Sequence, residues 1–275
     1  MKVRIMMAIV VAISLSSQAQ IKEGTITYER KVNVWKRITD EQMRAMIPEF
    51  RTSKHILFFN DSTSLYRMLP EDEAPDPFAG GPGGGNRVIF RAGGGSDGGD
   101  LYKNFANNTS VQSTELGGKN FLITDSIKKL PWKIYSETKQ ILGYTCRKAV
   151  RKMQPTSGAP VAIMRTFSGA NNAQLDSTKS TKMPPLKEVE VVAWFAENIP
   201  VAVGPEANAS LPGAVLEVSV DNGATVFTAV DIKTSVDTKE LKEPKKGKKI
   251  TNEDFQKMMM EMLQNQMPGG FRMGM

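Results

Sequence analysis

Residues 214–232, AVLEVSVDNGATVFTAVDI, contain two alternating segments on either side of a turn. Apolar side chains recur at every second position from Ala214 to Val220, as the buried face of a β-strand requires. Asp221-Asn222-Gly223 is typical of a hairpin, because Asn and Gly accept the positive φ angles of a tight turn. The stretch therefore predicts two neighbouring antiparallel strands.

The same strand pattern recurs along most of the chain, at residues 24–32, 54–60, 62–69, 87–92, 110–116, 119–125, 132–140, 144–153, 160–167 and 187–196. Asn60-Asp61 marks a second hairpin, and residues 39–48 predict one short helix that ends before Pro48. Many short strands with turns between them indicate an antiparallel sheet. We expect a mainly β (α+β) fold, a curved antiparallel sheet or partly open barrel with a C-terminal amphipathic helix.

The N-terminus has the pattern of a secretory signal peptide over residues 1–19. Lys2 and Arg4 precede an apolar stretch, and Ser17-Gln18-Ala19 is a small-x-small cleavage site. Cleavage would leave Gln20 as the first residue and would lower the net charge from +7 to +5. The sequence predicts an exported protein, periplasmic or associated with the outer membrane, with an extracellular location as the alternative. No later stretch is apolar enough to predict a transmembrane helix.

Composition divides the rest of the chain into three parts. Residues 20–235 predict the antiparallel β domain, which is interrupted by a Gly-rich loop at 70–99 and a polar loop at 168–185. The Gly-rich loop lacks the Lys-Ser/Thr pair and the following helix of a phosphate-binding loop. Residues 236–250 predict a Lys-rich linker, and 251–268 predict a helix.

The Lys-rich run contains neither Arg nor an aromatic side chain, which disfavours nucleic-acid recognition. Two interpretations remain for it: a solvated linker, or a weak attraction to anionic lipid or polysaccharide. Cys146 is the only cysteine, so no intrachain disulfide can form.

No catalytic set is evident in the sequence, and we predict that the protein is not an enzyme and needs no cofactor or metal. His55 is the only histidine and lies in a predicted strand, and Cys146 has the pattern of a buried thiol. One His and one Cys are too few for a zinc site. Carboxylates are plentiful, so a carboxylate-based hydrolase remains an alternative.

The predicted C-terminal helix begins at Thr251, whose hydroxyl can cap it together with Asp254. Its apolar residues share one helical face: Phe255, Met258, Met259, Met262, Leu263 and Met267. This face predicts docking on the protein's own sheet, with a partner protein or Cu(I) bound by thioethers as alternatives.

Two segments resemble the GLPGLI family of exported bacterial proteins. Residues 137–149, ETKQILGYTCRKA, carry Gly143, Tyr144 and Cys146 of its first motif. Residues 191–218, VVAWFAENIPVAVGPEANASLPGAVLEV, carry the rest: Trp194, Pro200, Gly204, Pro205, Leu211, Pro212 and Gly213. The chain departs from the family pattern at Ser210, where the family has glycine, and at Ala214-Val215, which replaces Leu-Ile.

Leu211-Pro212-Gly213-Ala214 has the sequence of a type II turn, in which Pro fixes φ and Gly supplies a positive φ. We interpret residues 204–218 as a rigid connection that sets strand register rather than as a binding loop.

The resemblance implies a protein of the bacterial cell envelope without an established activity. It also suggests an outer-membrane receptor or barrel protein as the partner. We therefore predict a non-enzymatic binding or assembly protein linked to the outer membrane. The alternative is a carrier of an apolar ligand or lipid in a half-barrel cavity.

Overall fold

The computed structural model describes residues 20–38, 41–70, 99–153 and 188–265. Several predictions lie outside these residues: the signal peptide, nearly all of the Gly-rich loop, the strands at 87–92 and 160–167, and the polar loop at 168–185. Residues 39 and 40, the first two of the predicted short helix, lie outside them as well.

The described residues are mostly β-structure. The strands are β1 (Gly24–Asn33), β2 (Phe50–Phe59), β3 (Thr63–Met68), β4 (Leu101–Asn104), β5 (Thr109–Leu116), β6 (Lys119–Ser126), β7 (Lys133–Ile141), β8 (Tyr144–Met153), β9 (Val189–Ala196), β10 (Ala214–Val220), β11 (Thr225–Lys233) and β12 (Lys248–Thr251). A 3-10 turn (Trp35–Arg37) and two helices, α1 (Glu41–Met46) and α2 (Asn252–Asn265), complete the elements.

These strands form one open sheet in the order β12-β6-β5-β4-β3-β2-β1-β11-β10-β9-β8-β7. Its two ends, β12 and β7, are not paired with each other. Neighbouring strands of the sheet pair antiparallel, except that β12 pairs parallel with β6. The predicted mainly β fold with a C-terminal helix is confirmed, and the parallel pair at one edge is the departure from an antiparallel sheet.

Both predicted hairpins are present. Asp221, Asn222 and Gly223 join β10 to β11 and all have positive φ, at 51°, 49° and 81°. Asn60 joins β2 to β3, and its side-chain oxygen accepts the backbone N–H groups of Ser62 and Thr63 at 2.9 and 2.7 Å. Asn is favoured in turns because its side chain can form such hydrogen bonds with the nearby backbone.

The second half of β2 and the middle of β3 are buried on both faces of the sheet. Leu57 lies opposite Tyr66 on one face, and Phe58 lies opposite Leu65 on the other. This explains why KHILFFN is continuously apolar at its end instead of alternating. Each face is covered by a chain segment that crosses the sheet.

The segment 197–213, which we call the signature strap, covers the first face. Ile199, Val201 and Val203 pack in one buried cluster with Leu57 and Tyr66. A second buried cluster lies further along the sheet, beneath Leu211 and Trp132. It contains one residue from each of four neighbouring strands, β8, β9, β10 and β11, and these residues lie opposite one another: Ala149, Ala193, Val218 and Phe227.

The segment 234–247, which we call the basic strap, covers the opposite face. Val236 and Leu241 pack against a buried cluster that contains Phe58, Leu65 and Tyr102. Arg67 forms an ion pair with Glu240. The structure therefore corrects the predicted linker at 236–250: its apolar side chains anchor it to the sheet, and its last residues begin β12.

Candidate functional site

The first signature segment forms the β7–β8 hairpin. Leu142 and Gly143 connect the strands with φ angles of 50° and 81°, as a two-residue hairpin loop requires. Tyr144 packs partly buried against the core. Cys146 is completely buried, and burial raises the pKa of its thiol to about 12, against a smaller opposing effect of Lys139. The thiol is therefore protonated and inert near neutral pH.

Trp194 lies on β9 between Lys148 of β8 and Glu217 of β10. Lys139 Nζ lies 5.2 Å from the centre of the Trp194 ring and 2.6 and 2.7 Å from the two Glu217 carboxylate oxygens. The ring is thus covered by an ion pair, which makes it part of the packing rather than an open aromatic platform.

The remaining signature residues lie in the signature strap. Gly204, Pro205, Leu211 and Gly213 are buried, whereas Pro200 and Pro212 are exposed. The strap is bonded to β10, because Ala214 N–H donates to Ile199 O and Val215 N–H donates to Val203 O, both at 2.9 Å. These bonds fix the start of β10 relative to the strap.

The predicted type II turn is wrong in its detail. Gly213 does not have a positive φ, whereas Ser210 does, at 72°. Gly213 is needed for another reason: a Cβ at this position would lie 2.2 Å from the Ala196 carbonyl oxygen. Ser210, which stands where the family pattern has glycine, takes the left-handed conformation that glycine adopts most easily.

Polar contacts tie the strap to β1 and β4 on one side. Arg30 Nε lies 3.8 Å from a carboxylate oxygen of Glu206, and Lys103 Nζ donates to the Glu206 backbone oxygen at 3.1 Å. Burial lowers the pKa of Lys103 to about 8. Arg30 lies on the same face of β1 as Ile26 and Tyr28, since all three are buried at alternating positions.

Further contacts tie the strap to the β7–β9 side. Trp132 Nε1 donates to Ala209 O, and Arg151 Nη2 donates to the Asn208 side-chain oxygen, both at 2.9 Å. The Arg151 guanidinium also lies 5.1 Å from the centre of the Trp132 ring. Hydrogen bonds and an ion pair therefore hold the signature strap to both halves of the sheet. The interpretation of residues 204–218 as a rigid connection accounts for these contacts.

His55 is buried next to these anchors. Its ring stacks on Tyr66 at 5.3 Å, and its Nε2 forms a 3.0 Å hydrogen bond with Ser53 Oγ. Among the described residues its Nδ1 has no hydrogen-bond partner. Burial, assisted by the Arg30 charge, lowers the pKa of His55 to about 4. The Ser–His contact thus lacks the carboxylate of a catalytic triad and has a weakly basic imidazole.

The burial of His55 predicts a pH-dependent stability. Its pKa is about 4 in the folded protein against about 6.5 when unfolded, so the unfolded chain takes up this proton first as pH falls. We expect about 3 kcal/mol of stability that is present above pH 6.5 and lost by pH 4. Urea unfolding of the protein and of a His55→Gln variant, between pH 7 and 4, measures the difference.

Between pH 7 and 4, the free energy of unfolding should fall by about 3 kcal/mol more in the original protein than in the variant, because the variant lacks the titrating group. A His55→Gln variant whose stability runs parallel to that of the original protein over this range would contradict the assignment.

The predicted face of α2 contacts the protein's own sheet. Phe255 packs edge-on against Phe121 of β6 at 5.8 Å, and Met262 lies beside Gly117. Met258 and Met259 are half-buried. The Leu263 side chain and Met267 lie outside the described residues. Thr251 Oγ1 caps the helix by accepting the Asp254 N–H at 3.1 Å, as the capping pattern predicted.

Within 20–38, 41–70, 99–153 and 188–265, no three His, Cys, Asp or Glu side chains are grouped to hold a metal ion. In the same residues, no helix has the length and apolar character needed to span a bilayer.

Comparison with known proteins adds one family. Residues 132–217, from β7 to β10, match the family described as "Protein of unknown function (Porph_ging)". No curated protein matches the chain.

Two solved structures, "Structure of PNGF-II in P21 space group" and "Structure of PNGF-II in C2 space group", are similar at 16% identity with TM-scores of 0.48 and 0.49. Each similarity covers 87% of this chain, which spans about a third of those structures (34% and 33%).

Proposed function

We propose that this chain is an exported, non-enzymatic binding or assembly protein of the bacterial cell envelope, of the GLPGLI type, and that its partner is an outer-membrane receptor or barrel protein. The signal-peptide pattern and the signature residues support export and this family type. The match of residues 132–217 to a family of unknown function is compatible with it.

The observation that carries the proposal is the open edge at β7. This strand ends the sheet, and among the described residues no further strand pairs with its outer side. Six of its nine residues are exposed, and they lie on both faces of the sheet: Lys133, Ile134, Ser136, Glu137, Thr138 and Gln140. It also lies within the family-matched segment and forms one strand of the signature hairpin.

An open edge strand offers its backbone groups to an extended peptide, which can add as a further strand. In a two-residue hairpin the residues next to the loop, Ile141 and Tyr144, exchange hydrogen bonds, and the bonded pairs then alternate. Gln140 lies opposite Thr145, and Thr138 lies opposite Arg147. Both are therefore non-hydrogen-bonded pairs. The N–H groups of Gln140 and Thr138 therefore point away from β8, toward an added strand.

Gln140→Pro tests this edge. Proline removes one outward donor and adds a ring where the partner strand would lie, while the bonds to β8 remain. We expect co-purification of the envelope partner from source cells to fall about tenfold, as the loss of one backbone hydrogen bond and a close contact implies.

Gln140→Ala is the matched control, because it removes the same side chain and keeps the N–H group. It should co-purify with the partner as the original protein does. Equal partner recovery with a folded Gln140→Pro variant would rule out binding by strand addition at β7.

A further inference from the structure

The edge of the sheet opposite β7 carries a dense group of lysines. Lys242, Lys245, Lys246, Lys248 and Lys249 lie within eight residues at the end of the basic strap and the start of β12, and all are exposed. Lys119 at the start of β6 is exposed beside them, since Gly247 lies against its neighbour Asn120. We call these six lysines the basic edge.

The lysines of the basic edge differ from those near the other end of the sheet. There, Lys139 is paired with Glu217, Lys148 with Glu137 and Lys152 with Glu188. Within the described part of the chain, no lysine of the basic edge forms an ion pair with a carboxylate. Their charges therefore remain available to an external anion.

The fold holds these charges in place. Parallel pairing of Lys248 with Phe121 and of Ile250 with Ile123 fixes β12, and Leu241 anchors the preceding segment. A groove of about 450 Å³ lies here, lined by Thr124, Lys248, Lys249, Ile250, Thr251 and Asp254. The Asp254 carboxylate accepts the Thr251 hydroxyl at 2.8 Å, so it is engaged in capping α2.

The chemistry of the edge favours a diffuse anionic surface. Lysines act as point charges, and the edge has no arginine fork for bidentate recognition and no aromatic ring for stacking on bases. Groups of four to eight basic residues next to an amphipathic helix are typical of proteins that lie on anionic membranes. Here α2 follows the basic edge directly, and it presents Met260 and Lys257 to solvent.

We propose that the basic edge binds the anionic headgroup surface of a phospholipid bilayer. This goes beyond the partner interaction at β7, since it assigns the other end of the sheet to the membrane. The interaction is electrostatic, so it weakens as salt shortens the range of the charges.

The test uses the chain from Gln20 onward with sedimented vesicles of phosphatidylcholine, with and without about one third phosphatidylglycerol. Lys245, Lys246, Lys248 and Lys249 are changed together to Gln. We expect binding to anionic vesicles, none to neutral ones, and a loss of about a hundredfold in the variant, because each lysine contributes severalfold.

The matched control changes Lys22, Lys54, Lys129 and Lys233 to Gln, which removes the same net charge from exposed sites away from the edge. It should bind within about threefold of the original protein, because net charge alone acts weakly through screening salt. A change of the four edge lysines to Arg should retain binding, which separates charge from folding.

Three results would overturn the proposal: no binding to anionic vesicles, equal losses in the two Gln variants, or binding to soluble polyphosphate without binding to vesicles. The Gln140→Pro variant keeps all six lysines of the basic edge, so its binding to vesicles should be unchanged even if it loses the partner at β7. The two proposals can therefore fail separately.

Discussion

Replacing Gly213 by alanine is expected to destabilise the protein by about 3 kcal/mol. The new Cβ would lie 2.2 Å from the Ala196 carbonyl oxygen and 2.8 Å from its carbon, and both are backbone atoms of a buried strand. Neither can move without disturbing the pairing of Ala196 with Ala214 and Cys146. Urea unfolding followed by circular dichroism measures the change.

Gly143→Ala is the matched control for this substitution. Gly143 has a positive φ of 81°, but nothing lies within 4 Å of the position of its Cβ. We expect a cost of about 1 kcal/mol from backbone strain alone. If the two substitutions lowered the free energy of unfolding equally, the close approach of the strap to β9 would not explain the need for glycine at position 213.

Leu211→Ala is expected to cost about 3 kcal/mol, because Leu211 is a buried apolar anchor of the signature strap. Its side chain is 2% exposed and packs with Phe195, Val215 and Phe227. Truncation leaves a cavity between the strap and the sheet, and the surrounding strands can fill it only in part.

The same truncation at Leu142 provides the comparison. Leu142 is 48% exposed at the tip of the β7–β8 hairpin, so Leu142→Ala should change the free energy of unfolding by less than about 0.5 kcal/mol. If Leu211→Ala were as mild as Leu142→Ala, the strap would not contribute to the core as described.

The sequence allowed the strands to be predicted where local signals are strong. The alternation in residues 214–232 and the Asp221-Asn222-Gly223 turn lead directly to β10, β11 and their hairpin. Local patterns did not indicate β4 or β12, because four residues are too short for a periodic signal.

The anchors of the signature strap could not be predicted, because they join residues that are remote in sequence. Lys103 reaches Glu206 across 103 residues, and Trp132 reaches Ala209 across 77. The role of Gly213 was also misassigned: its neighbour Pro212 suggested a turn with positive φ, whereas the close approach to Ala196 depends on a strand elsewhere in the chain. Such contacts become visible only when the sheet is assembled.

The signature residues and the open edge thus have different roles in this account. The strap packs on the sheet and holds the start of β10 in place. We propose that β7 binds a protein partner and that the basic edge binds a membrane. Mutations in the strap should reduce binding only through unfolding, while changes at Gln140 or the edge lysines should reduce binding in a folded protein.

The central claim is that the signature strap is part of the rigid core, and native-state hydrogen exchange tests it most directly. The relevant groups are the Ala214 and Val215 amides and the Trp132 indole N–H, which donate to Ile199, Val203 and Ala209 of the strap. We predict that all three exchange only through global unfolding, with an exchange free energy equal to that from urea unfolding. If these three groups exchanged through local opening, with an exchange free energy near zero while the other amides of β10 and β11 stayed protected, the account would be contradicted.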